Sequence, residues 1–417
     1  MQQYLKALKV YSILTLAIAA WWVLAFSSSA EKSDFGTNPN TYSSSFIRPA
    51  LEPAITSIDR DLLHQALSGD SKLMARLIAD WDIDAQILDS QGFDGIKRIS
   101  RGDFLQSQSL IRTLQNEEAV KKSASLLKQQ NQYVMDDSGN LIDLKLSYKK
   151  FLPQTYASAS FLLSLVSPAQ IVALPRSLRE QTQLYSKALT NQIPLDIDRY
   201  NAEKLFQARP EVAFVAHYSH PATIQALTKQ GVTLYTMKDI KTLPDISREL
   251  THLGNITEKP LHAELLKIFI DAAIVAIDNQ QAILIKHFNQ HSQHLPRVLV
   301  VNFHQGFSVP TTNTLTGQLL SRMQSLDITL QYALDSEMSN AWSVPIDRER
   351  LLNLDPDYLI IATDNERAMA KEICNDKALQ SLSAVRNNHL AFVDESIQKT
   401  PSQFVVLAYH DLIQALI

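Results

Sequence analysis

The sequence predicts an α/β protein made of two similar lobes joined by one long helix, with a smaller helical module ahead of them. Three observations carry this. A helix–Pro–strand phrase occurs twice, a long breaker-free stretch separates the two occurrences, and the hydrophobic pattern changes character near residue 131. In the first phrase, residues 202–209 reach Pro210 and then the apolar run 212–216; in the second, 347–353 pass through Leu354-Asp355-Pro356-Asp357 into 358–362. A Pro ring opposes helix continuation, and a short apolar run bounded in this way reads as a strand covered on both faces.

At the N-terminus, Lys6 and Lys9 precede the uncharged stretch 10–26, and Ser27-Ser28-Ser29-Ala30 follows. This is the grammar of an export signal, with small residues at the spacing a peptidase needs. The stretch is also at the lower limit for spanning a bilayer, so residues 1–30 are expected to be a cleaved signal peptide or a signal anchor. Either way the rest of the chain is expected to be periplasmic, soluble after cleavage or tethered to the inner membrane. Residues 31–45 are Ser/Asn-rich and read as a linker. Residues 46–130 read as an α-helical module, with Leu73, Met74, Leu77 and Ile78 at helical spacing. Within it, Asp89–Gly95 and Asp103 resemble a calcium loop in composition, but Lys97 and Arg98 break the spacing and repel a cation. A solvated loop between helices is predicted there.

From residue 131 strands and helices alternate. Residues 133–144 alternate around Asp137-Ser138-Gly139-Asn140, a hairpin signal. The segment 148–152 and the short runs at 171–174, 212–216 and 232–235 alternate with helical stretches at 157–165 and 222–230, giving a Rossmann-like lobe over 131–259. Residues 260–294 contain no Gly and no Pro after Pro260, and predict one connecting helix over 260–295. After Pro296 a second Rossmann-like lobe, 296–417, opens with the run 298–303 and a helix around 316–323.

Composition removes several function classes. The formal net charge of −4 supplies no basic surplus for phosphates, so no nucleic-acid partner is expected. With 10 Gly in 417 residues and no phosphate-cradling Gly motif, nucleotide chemistry is disfavoured. Neither a Gly-x-Ser-x-Gly elbow nor a His-Glu-x-x-His helix occurs, so no enzyme is expected and no cofactor is required. The single cysteine, Cys374, excludes an internal disulfide and is expected to be a small buried hydrophobe on a helix.

The order of phrases from 131 onward resembles the long-helix class of periplasmic substrate-binding proteins of ABC importers, whose members bind ferric siderophores, haem, cobalamin or bare metal ions. The matching phrases are the Asp-Ser-Gly hairpin, Ala157-Ser158-Ala159-Ser160, the segment 202–210, Leu253-Gly254-Asn255-Ile256-Thr257 before the long helix, Leu354-Asp355-Pro356-Asp357, and Ser383-Ala384-Val385-Arg386-Asn387-Asn388. The resemblance implies a monomer that captures a small-molecule ligand (an iron chelate, haem or a cobalamin-like solute) between its lobes and hands it to an inner-membrane permease. It also places the ligand on loops that follow the strands. On that basis the expected wall is Tyr156, His217, Tyr218 and His220 from the first lobe, and His304, Gln305, Phe307 and Trp342 from the second. Rings stack on flat ligands, and phenolate or imidazole can coordinate iron. Bare-metal binding is the alternative ligand class, with His217, His304 and Asp364 as members. His287, His291 and His294 read as a solvated helix face.

One departure bears on transport. The resemblance implies a Glu on each lobe to meet permease arginines, and the aligned positions here are Phe161 and Gln318. Neither can form a salt bridge. A membrane-tethered receptor or scaffold that keeps the fold without feeding an importer is therefore the other functional class expected.

Overall fold

In a computed structural model the chain is described over residues 58–81, 101–130, 132–180, 184–193, 195–197, 207, 209–291, 295–304, 306–323 and 341–417. The signal or anchor segment, the linker, the calcium-like loop, most of 202–210, His294 and Gln305 lie outside the described residues. Residues 48–417 form one compact unit. Among the described residues no helix is long and apolar enough to cross a membrane.

The helical module contains α1 (Arg60–Leu67), α2 (Ser71–Asp80), α3 (Arg101–Leu114) and α4 (Glu117–Gln130). Asp59 and Asp70 cap the first two, each carboxylate accepting two backbone N–H groups that the first turn leaves free. The apolar stripe of α2 buries Leu73, Met74, Leu77 and Ile78, as its spacing predicts.

The first lobe holds a hairpin of β1 (Tyr133–Met135) and β2 (Leu141–Asp143), then β3 (Phe151–Pro153), α5 (Tyr156–Leu165), β4 (Leu174–Pro175), β5 (Asp196–Ile197), β6 (Val212–Ala216), α6 (Pro221–Lys229), β7 (Thr233–Met237) and α7 (Leu243–Ile256). Its sheet is parallel with order β3-β6-β7. The connecting helix α8 runs unbroken over Pro260–His291, 32 residues, or about 48 Å at 1.5 Å per residue. The second lobe has β8 (Val298–Phe303), β9 (Phe307–Pro310), α9 (Leu315–Arg322), β10 (Ser343–Ile346), α10 (Arg348–Leu354), β11 (Tyr358–Thr363), α11 (Glu366–Asn375), β12 (Leu390–Asp394), the short α12 (Glu395–Gln398) and α13 (Val405–Gln414). Its sheet order is β10-β9-β8-β11-β12, parallel through β8, β11 and β12 and antiparallel at the β9–β10 edge.

Side chains alternate across each sheet, and the two faces bury into different cores. Val212 and Phe214 of β6, with Val298 and Val300 of β8, enter one large core; Ala213 and Val215 enter a core on the other face of the first lobe, and Leu299 and Val301 one on the other face of the second. The large core also contains Met74, Phe161, Phe269 and Leu407, so it runs continuously through the helical module, α5, α8 and α13. The module is thus packed into the two-lobe body. Helices α2, α3 and α4 lie along α8, where Trp81 stacks on Phe269 at 5.5 Å and Ser71 Oγ meets His262 Nε2 at 2.8 Å. Helix α13 closes the ring: Arg60 donates to both oxygens of Asp411 at 2.7 and 2.9 Å, and Tyr409 OH lies 2.7 Å from Asp278 Oδ1 on α8.

Cys374 departs from expectation. It is exposed on α11, because Met369 and Ile373 form that helix's buried stripe and the next position is turned about 100° away from it.

Candidate ligand-binding site

The site is built where parallel strands end. After β3, Thr155 accepts from Ser158 N while Ser158 Oγ accepts from Thr155 N, a reciprocal cap that starts α5 at once and sets Tyr156 at its first position. The Tyr156 ring packs against the large core, and its buried hydroxyl has no partner in hydrogen-bonding geometry. Burial pushes this phenol up to about 12, with the Thr400 hydroxyl opposing and the Asp394 charge adding to the rise. Both neighbours come from the second lobe's last strand and the segment after it, so Tyr156 stands at the junction of the lobes as a neutral phenol.

The exit of β6 presents His217 and Tyr218, whose rings meet edge-on at 5.1 Å. His217 Nδ1 lies 3.3 Å from Asp239 Oδ1 beyond β7, and Tyr218 is 71% exposed. Lys241, two residues further on, sets its Nζ 5.7 Å from the ring centroid of Trp342. That cation–π contact crosses from the first lobe to the second, and Trp342 is otherwise 60% exposed. Trp342 precedes β10, so this contact lies at that strand's entry, while Tyr156 beside Asp394 and Thr400 brings the exit of β3 to the exit of β12. His220 is placed differently from the rest of its cluster: its Nδ1 accepts from Ala222 N at 3.2 Å, so the ring is used as the cap of α6.

In the second lobe, three adjacent parallel strands end in His304 after β8, Asp364 after β11 and Glu395 after β12. One ligand atom from each lies within 4.8 Å of the others. His304 and Asp364 are exposed and Glu395 is buried. Lys399 pairs with Glu395 Oε1, and Oε2 faces His304 Nδ1 at 3.9 Å. Of the residues named for a bare metal, His304 and Asp364 meet here beside Glu395, while His217 sits at the exit of β6 near Asp239. Phe307 is 6% exposed and packs on Phe303 at 5.0 Å in the second lobe's outer core; the tight β8–β9 connection turns its ring inward, away from the wall predicted for it. Phe161 is fully buried, and Gln318 donates from Nε2 to Thr312 O at 2.8 Å. His287 and His291 stack at 4.3 Å on α8.

Residues 156–397, more than half of the chain, match the family model described as periplasmic binding protein. The chain belongs to the periplasmic binding protein family. Among solved structures, this binding protein is similar to a possible iron-binding periplasmic solute-binding protein from Staphylococcus epidermidis, at 16% identity and a TM-score of 0.51, covering 65% of this chain and 99% of that one. It is similar to the molybdate periplasmic binding protein MolA of Haemophilus influenzae at 14% identity and 0.52, covering 69% and 91%. A third is the periplasmic haem-binding protein BhuT in complex with two haems, at 17% identity and 0.50, covering 65% and 98%. No curated protein matches the chain in sequence. At such identities the structural likeness establishes the fold. The binding proteins of this family are non-enzymatic and extracytoplasmic, and the chain shares that solute-binding role.

About a third of the chain has no counterpart in these structures, which are themselves covered almost end to end.

Proposed function

We propose that this binding protein captures an iron chelate, haem or a cobalamin-like solute between its lobes and presents it to an ABC importer. The observation that carries this reading is that Tyr156, His217 and Tyr218 follow parallel strands of the first lobe and His304 one of the second, with Tyr156 beside Asp394 and Thr400 across the lobe junction. Exposed rings on both lobes suit a flat or bulky guest, while phenol and imidazole supply donors for iron. A neutral phenol near pKa 12 releases its proton on coordination, so iron capture through Tyr156 is expected to strengthen as the pH rises.

A second reading, a receptor or scaffold that binds solute without feeding a permease, is favoured by Phe161. At the position where a docking Glu is expected, this side chain is 0% exposed. Every residue from Ala157 to Leu165 is buried, so that face of α5 offers a partner neither charge nor surface.

Absorbance and metal analysis of protein isolated from its own envelope, followed by titration with hemin and a ferric tris-catecholate, test the solute. Tyr156→Phe, which keeps the ring packed against the core and removes only the phenol oxygen, is expected to weaken binding of the active probe at least tenfold, about 1.4 kcal/mol, with the fold intact. An unchanged dissociation constant removes Tyr156 from the site, and absence of binding to any iron-bearing probe removes the reading.

A further inference from the structure

We propose that the α1–α2 hairpin is a brace that fixes the angle between the two lobes, so that a guest meets a mouth of preset width. One short stretch, from Ile58 to Trp81, is tied to all three bodies whose relative movement would open or close a cleft. Toward the first lobe, His64 Nε2 lies 2.7 Å from Leu184 O, and the turn at Gly69 sits so close on α5 that an added Cβ would lie 2.6 Å from Ser164 O. Toward the connecting helix, Ser71 Oγ meets His262 Nε2 at 2.8 Å and Trp81 stacks on Phe269. Toward the second lobe the contacts run through α13: Arg60 donates to both oxygens of Asp411, and His410 Nε2 lies 3.0 Å from Ile58 O. Helix α13 is itself fastened to that lobe, because Gln398 of α12 donates from Nε2 to Ala408 O at 3.0 Å.

These ties are directional, and the stretch between them is inserted in the core. Leu63, Ala66 and Leu67 are 0% exposed and His410 is 3% exposed. Gln403 Nε2, which donates to Ser160 O of α5 at 3.0 Å, also reaches Leu67 O at 3.4 Å, so α1, α5 and the segment leaving the second lobe share one donor. A twist of one lobe against the other would draw α13 away from α1, or α1 away from α5. Either movement leaves buried polar groups unpaired and puts apolar surface in water, whereas packed helices slide only in small steps. The hairpin thus adds a second connection between the lobes beside the stiff α8.

A fixed mouth has a consequence for recognition, which rests on the solute reading above. The guest is selected by its size and shape rather than by closure around it, and little ordering of the protein opposes its binding.

Spin-label distances in the full chain test the brace, with one label on the native Cys374, exposed on α11, and one on Lys229→Cys, at the exposed end of α6. Without any guest a single narrow distance distribution is expected. Adding hemin or the ferric tris-catecholate, whichever binds, is expected to move its centre by less than about 2 Å. Arg60→Ala combined with His64→Ala, in the labelled chain, is expected to widen the distribution at least twofold while circular dichroism stays native. If that pair does not fold, Arg60→Ala alone, whose side chain is 37% exposed, makes the same measurement. A wide or two-peaked distribution in the chain with an intact brace overturns the proposal, and so does a width that the folded variant leaves unchanged. The guest-free arms separate the two readings: they decide the brace even where neither iron-bearing probe binds.

Discussion

Gly69→Ala is expected to destabilise the full chain by roughly 2–5 kcal/mol. Gly69 ends the turn between α1 and α2 at φ +111°, a conformation L-residues rarely adopt, and an added Cβ would meet Ser164 O of α5 at 2.6 Å. The obstacle is backbone rather than a movable side chain, so relief requires the turn to lift off α5. Strained backbone contributes about 1–2 kcal/mol and overpacking against fixed atoms about 1–3. Urea unfolding of the full chain measures it. A loss below about 0.5 kcal/mol would show that this turn does not seat on the first lobe.

Phe404→Ala is expected to cost about 3–5 kcal/mol, the range for removing a fully buried aromatic ring. Phe404 is 0% exposed, stacks on His64 of α1 at 5.5 Å and meets Tyr185 edge-on at 5.4 Å. Its neighbour Gln403 donates from Nε2 to Ser160 O of α5 at 3.0 Å, and His64 Nε2 lies 2.7 Å from Leu184 O. The segment leaving the second lobe is thereby wedged between the helical module and the first lobe. The same urea measurement, made with fluorescence and circular dichroism in parallel, reads both magnitude and cooperativity. Coincident transitions with a lowered midpoint are expected. A module that melts separately while the lobes keep wild-type stability would contradict the continuous core.

Much of this architecture was legible in the sequence, for identifiable reasons. The runs at 212–216 and 298–301 are apolar at every position, as strands buried on both faces require, and the long helix lacks any residue that would stop it. The apolar character of residues 157–165 also carried more than was read from it. A helix with no polar face is enclosed on all sides, and here the helical module, whose partner the sequence does not name, closes its exposed side. Phe307 and Cys374 mark the limits of pattern reading. The first depends on a three-residue connection that reverses the chain and turns an aromatic inward, the second on a rotation of one helical position past the buried stripe. The meeting of Glu395 with His304 and Asp364 was not legible, although each directly follows a parallel strand. Three strand ends become one site only when their order in the sheet is known, and that order is set by crossover connections rather than by local pattern.

Hydrogen exchange with and without the iron-bearing probe that binds tests most directly whether solute is held between the lobes. Protection is expected at 154–158, 216–220, 239–241, 364–366 and 394–400, on both lobes and together, with α1–α4 unchanged. Protection confined to one lobe, or to the helical module, would contradict capture at the facing strand exits.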